Sequence, residues 1–179
     1  MAETTNSYRI DIYRLDRSLL ENIPRDPGLY IIILSLERDI CIEIGALGMV
    51  SIEPGIYGYI GSARGRGGLR SRIARHIAKD KKIRWHIDHL TSRRDVRILS
   101  IIYIRSKEDL EDAIADIVRS AICWIPSIQG FGSTDKRSYT HLFRCTCFIN
   151  ECMWSLLKAL AENKLKPSLI VVGNISLTR

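Results

Sequence analysis

The sequence predicts an α+β fold: a small, mostly antiparallel sheet flanked by helices, with an inserted hairpin and a C-terminal helix-and-strand extension. Three observations predict it. Short β-rich runs joined by Gly/Pro turns fill residues 28–61, two segments with helical apolar spacing follow at 69–79 and 107–123, and no repeat or linker separates them. One domain over residues 1–179 is the economical reading.

Residues 8–15 alternate apolar and polar, which predicts a first strand. Pro24 and Pro27 with Asp26 make a turn, and residues 28–36 (GLYIIILSL) are almost wholly apolar, as a central strand requires. Two shorter runs, 40–44 and 49–52, surround Gly45 and Gly48, and 56–61 (IYGYIG) is a further strand. Four such runs in a row predict an antiparallel meander, with 40–52 as an inserted hairpin. Residues 62–68 (SARGRGG) form a flexible basic loop before a helix at 69–79, where Leu69, Ile73 and Ile77 share one face and Arg72, His76 and Lys79 lie along its rim. Residues 81–90 predict a second short helix and 96–104 a strand. The clearest helix is 107–123, with Leu110, Ile114, Ile117, Val118 and Ala121 on one face and Ser106 as its N-cap. A Gly/Ser-rich loop at 130–135, a strand around 141–149, a helix at 151–163 and a strand at 169–172 complete the chain.

Lys and Arg number 27 against 20 Asp and Glu, a formal charge of +7. That balance points to phosphate polyanions as partners. The amino end is polar, and no run approaches the roughly 20 apolar residues of a spanning helix, so a cytoplasmic protein is expected. The five cysteines (41, 123, 145, 147 and 152) are odd in number and lack a secreted framework, which predicts reduced thiols.

Gly28-Leu29-Tyr30 opening one strand, Tyr59-Ile60-Gly61 closing a later one, and Arg72 one helical turn before His76 together resemble the GIY-YIG nuclease superfamily. The similarity is to an archaeal branch of unknown function, sometimes fused to endonuclease III-type enzymes. That branch also has the Trp85–Asp88 block (WHID) and a Phe-Gly-Ser segment ending in His-Leu, here residues 131–142. The resemblance covers about 28–143, leaving 144–179 as the extension. Residues 55–61 (GIYGYIG) place both tripeptides side by side, but one intervening residue cannot reverse a chain, so the first motif is assigned to residues 28–30. Two departures stand out. Ser62 replaces the family's basic residue after the second motif, and Lys136 and Ser138 replace cysteines of the branch.

The resemblance implies a metal-dependent nuclease acting on nucleic acid, with DNA the expected substrate and a DNA repair enzyme a possible partner. Tyr30 would be the general base and Tyr59 its partner at the phosphate. Phosphodiester hydrolysis needs a deprotonated water, compensation of charge on the phosphoryl oxygens and help for the departing oxygen. Arg72 offers a permanently charged planar fork, and His76, at i+4, can accept or relay a proton. A tyrosine is a poor base unless cations and a metal lower its pKa from about 10, and this site is expected to provide both. One Mg2+ or Mn2+ requires oxygen ligands. Of the acids on the 107–122 helix, Glu111 lies about 100° from Leu110, on the edge of the apolar arc, and the family's glutamate sits in an equivalent helix. Glu111 is therefore the expected metal ligand.

Arg64, Arg66, Arg70, Arg75, Lys79, Lys81, Lys82 and Arg84 cluster around this site and are expected to grip a nucleic-acid backbone without reading bases. His86, Asp88, Ser133, Asp135 and His141 are candidate lining of the cleft. His86 and His89 could meet on a helix as metal ligands, but Trp85 and Ile87 favour a packed structural block. His141 with the nearby cysteines fits no zinc-ribbon spacing. A non-catalytic nucleic-acid-binding module that keeps the nuclease fold is the rival reading.

Overall fold

A computed structural model describes residues 9–13 and 17–172 of the chain. The chain order is β1 (Arg9–Tyr13), α1 (Arg17–Asn22), β2 (Gly28–Leu36), β3 (Ile40–Glu43), a 3-10 turn (Gly45–Leu47), β4 (Met49–Ile52), β5 (Gly55–Ser62), α2 (Gly68–Ile77), α3 (His86–Thr91), β6 (Val96–Arg105), α4 (Glu111–Ser120), β7 (Trp124–Pro126), β8 (Leu142–Cys145), α5 (Ile149–Glu162) and β9 (Ser168–Val172). Seven strands form one sheet in the order β1-β9-β6-β2-β5-β8-β7. Among the described residues only the β1/β9 pair is parallel. The α+β class with a mostly antiparallel sheet is thus as expected. Residues 8, 14, 15 and 173–179 of the expected terminal segments lie outside the described residues.

Period-two alternation along β2 divides the protein into two cores. Tyr30, Ile32, Leu34 and Leu36 face a layer built from α1, α2, α3 and the β3–β4 hairpin. Leu29, Ile31 and Ile33 face α4 and α5 with Ile114, Val118, Met153, Leu156 and Leu160. β2 is buried on both sides because helices cover both, which explains its unbroken apolar run.

The expected four-stranded meander needs correction. β2 pairs directly with β5, from Leu29↔Ser62 to Leu36↔Gly55, while β3 and β4 form their own two-stranded sheet. The long β2/β5 register leaves no place between them, so the hairpin folds over the sheet and buries Ile40, Ile44, Val50 and Ile52 in its core. The second short helix occupies only His86–Thr91, and the strand near 141–149 only Leu142–Cys145. β7, three residues long, had no periodic signal. The segment after residue 143 is integral to the sheet, since β9 lies between β1 and β6 and α5 packs on α4.

α4 begins at Glu111 rather than 107. Ser106 Oγ accepts the Glu108 amide in a preceding turn and so does not cap the helix. The cysteines also differ from expectation: Cys123–Cys147 and Cys145–Cys152 are disulfides and Cys41 alone is free. Antiparallel pairing of β7 with β8 sets Trp124 opposite Cys145, and the turn into α5 brings Cys147 and Cys152 to the same edge. That proximity cannot be read from spacing alone. No helix among the described residues is long and apolar enough to cross a membrane.

Candidate active site

Tyr30 sits in β2 opposite Gly61 of β5 and Tyr103 of β6. A Cβ added at Gly61 would lie 2.4 Å from the Tyr30 hydroxyl, so the phenol ring occupies the space that a glycine leaves open. The hydroxyl oxygen is 2.7 Å from His76 Nε2, and both side chains are buried. His76 had been expected on a helix rim, yet it is 1% exposed, because α2 lies flat on the sheet with Leu69 and Ile73.

On its other side, His76 Nδ1 faces Asp88 Oδ1 at 3.5 Å, an electrostatic contact longer than a good hydrogen bond. Asp88 is fully buried at the third position of α3. Its Oδ2 accepts from Arg75 Nη2 at 2.7 Å and from the amides of Arg84 at 2.9 Å and Trp85 at 3.1 Å. Burial would raise its pKa. The His76 contact and these hydrogen bonds outweigh burial and hold the carboxyl well below its usual range. An ionised Asp88 can only accept, so it favours the tautomer with its proton on Nδ1 and leaves Nε2 to take the Tyr30 proton. Asp88, His76 and Tyr30 form a carboxylate–imidazole–phenol chain.

Of the two tyrosines in β5, Tyr57 donates its hydroxyl to the Glu53 carbonyl, 3.0 Å away in the turn before the strand. Tyr59 instead packs edge-on to Phe131 at 6.0 Å and lies in the field of Glu111, Arg72, Asp88 and Asp135. Burial raises the pKa of both Tyr59 and Tyr30. Glu111 adds to the rise in each, and Arg72 opposes it. Among the protein's own groups, desolvation of the Tyr30 phenolate exceeds the help from the Arg72 guanidinium. His76 shifts down for the same reason, burial, against Asp88.

Arg72 stacks its guanidinium 4.0 Å from the centre of the Trp85 ring, and Arg75 lies 4.7 Å from it. Trp85 was read as a packing residue; it also orients the arginine. Glu111, the first residue of α4, has a side chain 12% exposed, and it is bound by Lys136 Nζ at 3.0 Å. The same ammonium is 2.9 Å from Asp109, which Arg64 holds at 2.8 Å. Contact first with Asp109 and then with Glu111 raises the Lys136 pKa. Lys136 is the site residue that sequence reasoning did not select; its one signal was that it stands where the branch has cysteine.

A hard divalent cation would take the Glu111 carboxylate. Among the described residues, no three His, Cys, Asp or Glu side chains converge as a ready cage. Glu111 and Asp109 both hold Lys136, so an ion would have to displace that ammonium. Asp109, 41% exposed, offers Lys136 another partner when it leaves Glu111. Nearby, His141 is buried with neither ring nitrogen partnered among the described residues, and Ser133 Oγ is likewise unpartnered. Burial lowers the His141 pKa against the pull of Glu111. His86 Nδ1 accepts the Gly132 amide at 3.0 Å, so it fixes the 130–135 loop. Asp135 is exposed.

The eight basic residues divide into two groups. Arg70 donates to the Ile23 and Glu21 carbonyls, Lys79 to those of Arg93 and Val96, and Lys81 to those of Arg75 and His76 and to the Thr91 hydroxyl. Burial lowers the Lys81 pKa to about 8. With Arg75 engaged by Asp88, these four brace the fold. Arg64, Arg66, Lys82 and Arg84 remain exposed.

An α+β sheet with a buried Tyr–His–Asp chain, a second buried tyrosine, an arginine stacked on Trp85 and a Glu111–Lys136 ion pair defines a candidate acid–base site on a basic scaffold. The chain belongs to the family described as domain of unknown function DUF123, whose model matches residues 29–162. No curated protein and no solved structure matches the chain.

Proposed function

We propose that the chain is a metal-dependent nuclease of GIY-YIG type that hydrolyses phosphodiester bonds in nucleic acid, DNA being the expected substrate. The observation that carries the reading is the buried Asp88–His76–Tyr30 chain, with the Tyr30 hydroxyl 2.7 Å from His76 Nε2 and Arg72 one turn before His76 on α2. Arg72 would hold the phosphoryl oxygens. Tyr30 would take a proton from the attacking water as it passes its own to His76 Nε2, and Asp88 would stabilise the imidazolium. Mg2+ or Mn2+ on Glu111 would supply further charge at the phosphate and the departing oxygen. Arg64, Arg66, Lys82 and Arg84 would grip the backbone, and we place the protein in the cytoplasm, with a DNA repair enzyme as a possible partner. Disulfides are rare there except in hyperthermophiles.

The test is cleavage of labelled flap, nicked, abasic and single-stranded DNA with and without Mg2+. Tyr30→Phe, His76→Gln and their combination are each expected to cost about 100-fold or more, the pair no more than either alone, because they move one proton. Failure to cleave any substrate, or cleavage indifferent to Glu111→Ala, refutes the reading. Lys136 on Glu111 and the raised tyrosine pKa values favour the second reading, a non-catalytic nucleic-acid-binding module. Salt-dependent binding that survives Arg72→Ala with Glu111→Ala, without turnover, would select it.

A further inference from the structure

A cavity of about 280 Å³ opens between the loop before α2 and the Trp85 ring, with Arg72 in its wall. Arg66, Arg72, Arg75 and Arg84 line it, with Ser71 and the Trp85 ring. Two of the guanidinium groups are fixed against that ring at 4.0 and 4.7 Å. Asp88 neutralises Arg75 alone; among the described residues none of Arg66, Arg72 and Arg84 has an ion-pair partner. Arg75 Nε is buried there without a partner among the described residues.

The start of α2 contributes nothing to anion binding. The amides of Gly68, Leu69, Arg70 and Ser71 already reach the carbonyls of Gly65, Asp26, Pro24 and Gly67. Recognition in this cavity therefore belongs to the guanidinium groups, whose forked donors match a phosphate. Arg72 stands one turn of α2 before His76, whose Nε2 is 2.7 Å from the Tyr30 hydroxyl. One arginine thus forms a wall common to the cavity and the tyrosine site.

We infer that this cavity is a subsite for a second phosphate of the bound strand, next to the one held at the tyrosines, with Arg66 and Arg84 closing on it from the solvent side. The inference rests on the proposed nuclease reading for its neighbour, and the experiment separates the two. The full chain, in chelator and so without cleavage, is titrated with short fluorescein-labelled single-stranded DNA, and anisotropy gives affinity against salt. Each single-strand phosphate contact contributes about 0.7 to the slope of log affinity on log salt. If Arg66 and Arg84 share one phosphate, either keeps it neutralised, so Arg66→Ala and Arg84→Ala each leave the slope nearly unchanged and the double variant lowers it by about 0.7. A double variant that loses about 1.4 or nothing, or no binding at all, overturns the subsite. Comparing strands with a 5′-phosphate and a 5′-hydroxyl shows the source: the shared loss in both identifies an internal phosphodiester, and in the phosphorylated strand alone a terminal phosphate. Additive slopes with intact cleavage remove the subsite and leave the nuclease. A shared slope without cleavage of any substrate does the reverse.

Discussion

Removing the Lys136 ammonium should strengthen divalent-ion binding, although no ligand is added. Lys136 Nζ lies 3.0 Å from Glu111 and 2.9 Å from Asp109, with side-chain exposures of 19, 12 and 41% for the three residues. Charge-assisted hydrogen bonds contribute about 1.5–3 kcal/mol when protected, while exposed ion pairs contribute about 0–1. Partial exposure places the Lys136–Glu111 contact between these, at about 1–2 kcal/mol. An arriving ion must first displace that contact, so Lys136→Met, which keeps the apolar stem, should raise Mn2+ affinity about 5- to 30-fold. Arg64 still holds Asp109 at 2.8 Å, so Asp109 is not left without a partner and the fold should persist. The assay is titration of free Mn2+ by electron paramagnetic resonance, with thermal unfolding as the control for folding. Unchanged or weaker binding would refute the reasoning, as would an equal gain in a protein that also carries Glu111→Ala.

Gly61→Ala places a Cβ 2.4 Å from the Tyr30 hydroxyl and should break its 2.7 Å contact with His76, lowering cleavage about 100-fold; wild-type rates would contradict the cradle. Burial lowers the pKa of His76, His86 and His141, so the unfolded chain takes up more protons as pH falls. Unfolding free energy in urea should therefore drop between about pH 7 and pH 5, above the range where the aspartates titrate; a flat profile would exclude neutral buried imidazoles. Reducing Cys123–Cys147, whose partners are 24 residues apart, should cost about 3 kcal/mol by the same measurement, and no loss would show that the bond does not constrain the unfolded chain.

Much of the frame was legible because it depends on local periodicity. The unbroken apolar run at 28–36 and the helical faces of α2, α4 and α5 each have one pattern and one solution. What escaped depends on contacts between distant segments. Lys136 reaches Glu111 across 25 positions from a loop without periodicity, and the disulfides follow from how β7 and β8 pair. Arg70, Lys79 and Lys81 look like a polyanion surface because charge is visible in sequence, whereas the carbonyls that bind them are set by the end of α1 and the residue after it, the segment from Arg93 to Val96 and the end of α2. Asp88 was recognised only as lining. Its role as the buried acceptor behind His76 needed the geometry of α3 against α2.

The direction of the two central pKa shifts limits how such a site can move a proton. Phenol and imidazole ordinarily differ by about 3.5 pKa units, or about 4.8 kcal/mol against transfer, and burial moves Tyr30 up and His76 down. A phenolate beside an imidazolium is thus not the resting state, and Tyr30 cannot wait as a charged base. In the proposed reaction it would gain a proton from water while losing its own to His76, so that no full charge remains on its buried oxygen. The charge that appears on His76 then lies 3.5 Å from the ionised Asp88, on the side away from the phosphate. In the proposed reaction the alignment of the three groups through the sheet and two helices would favour that concerted path, since desolvation opposes a free phenolate.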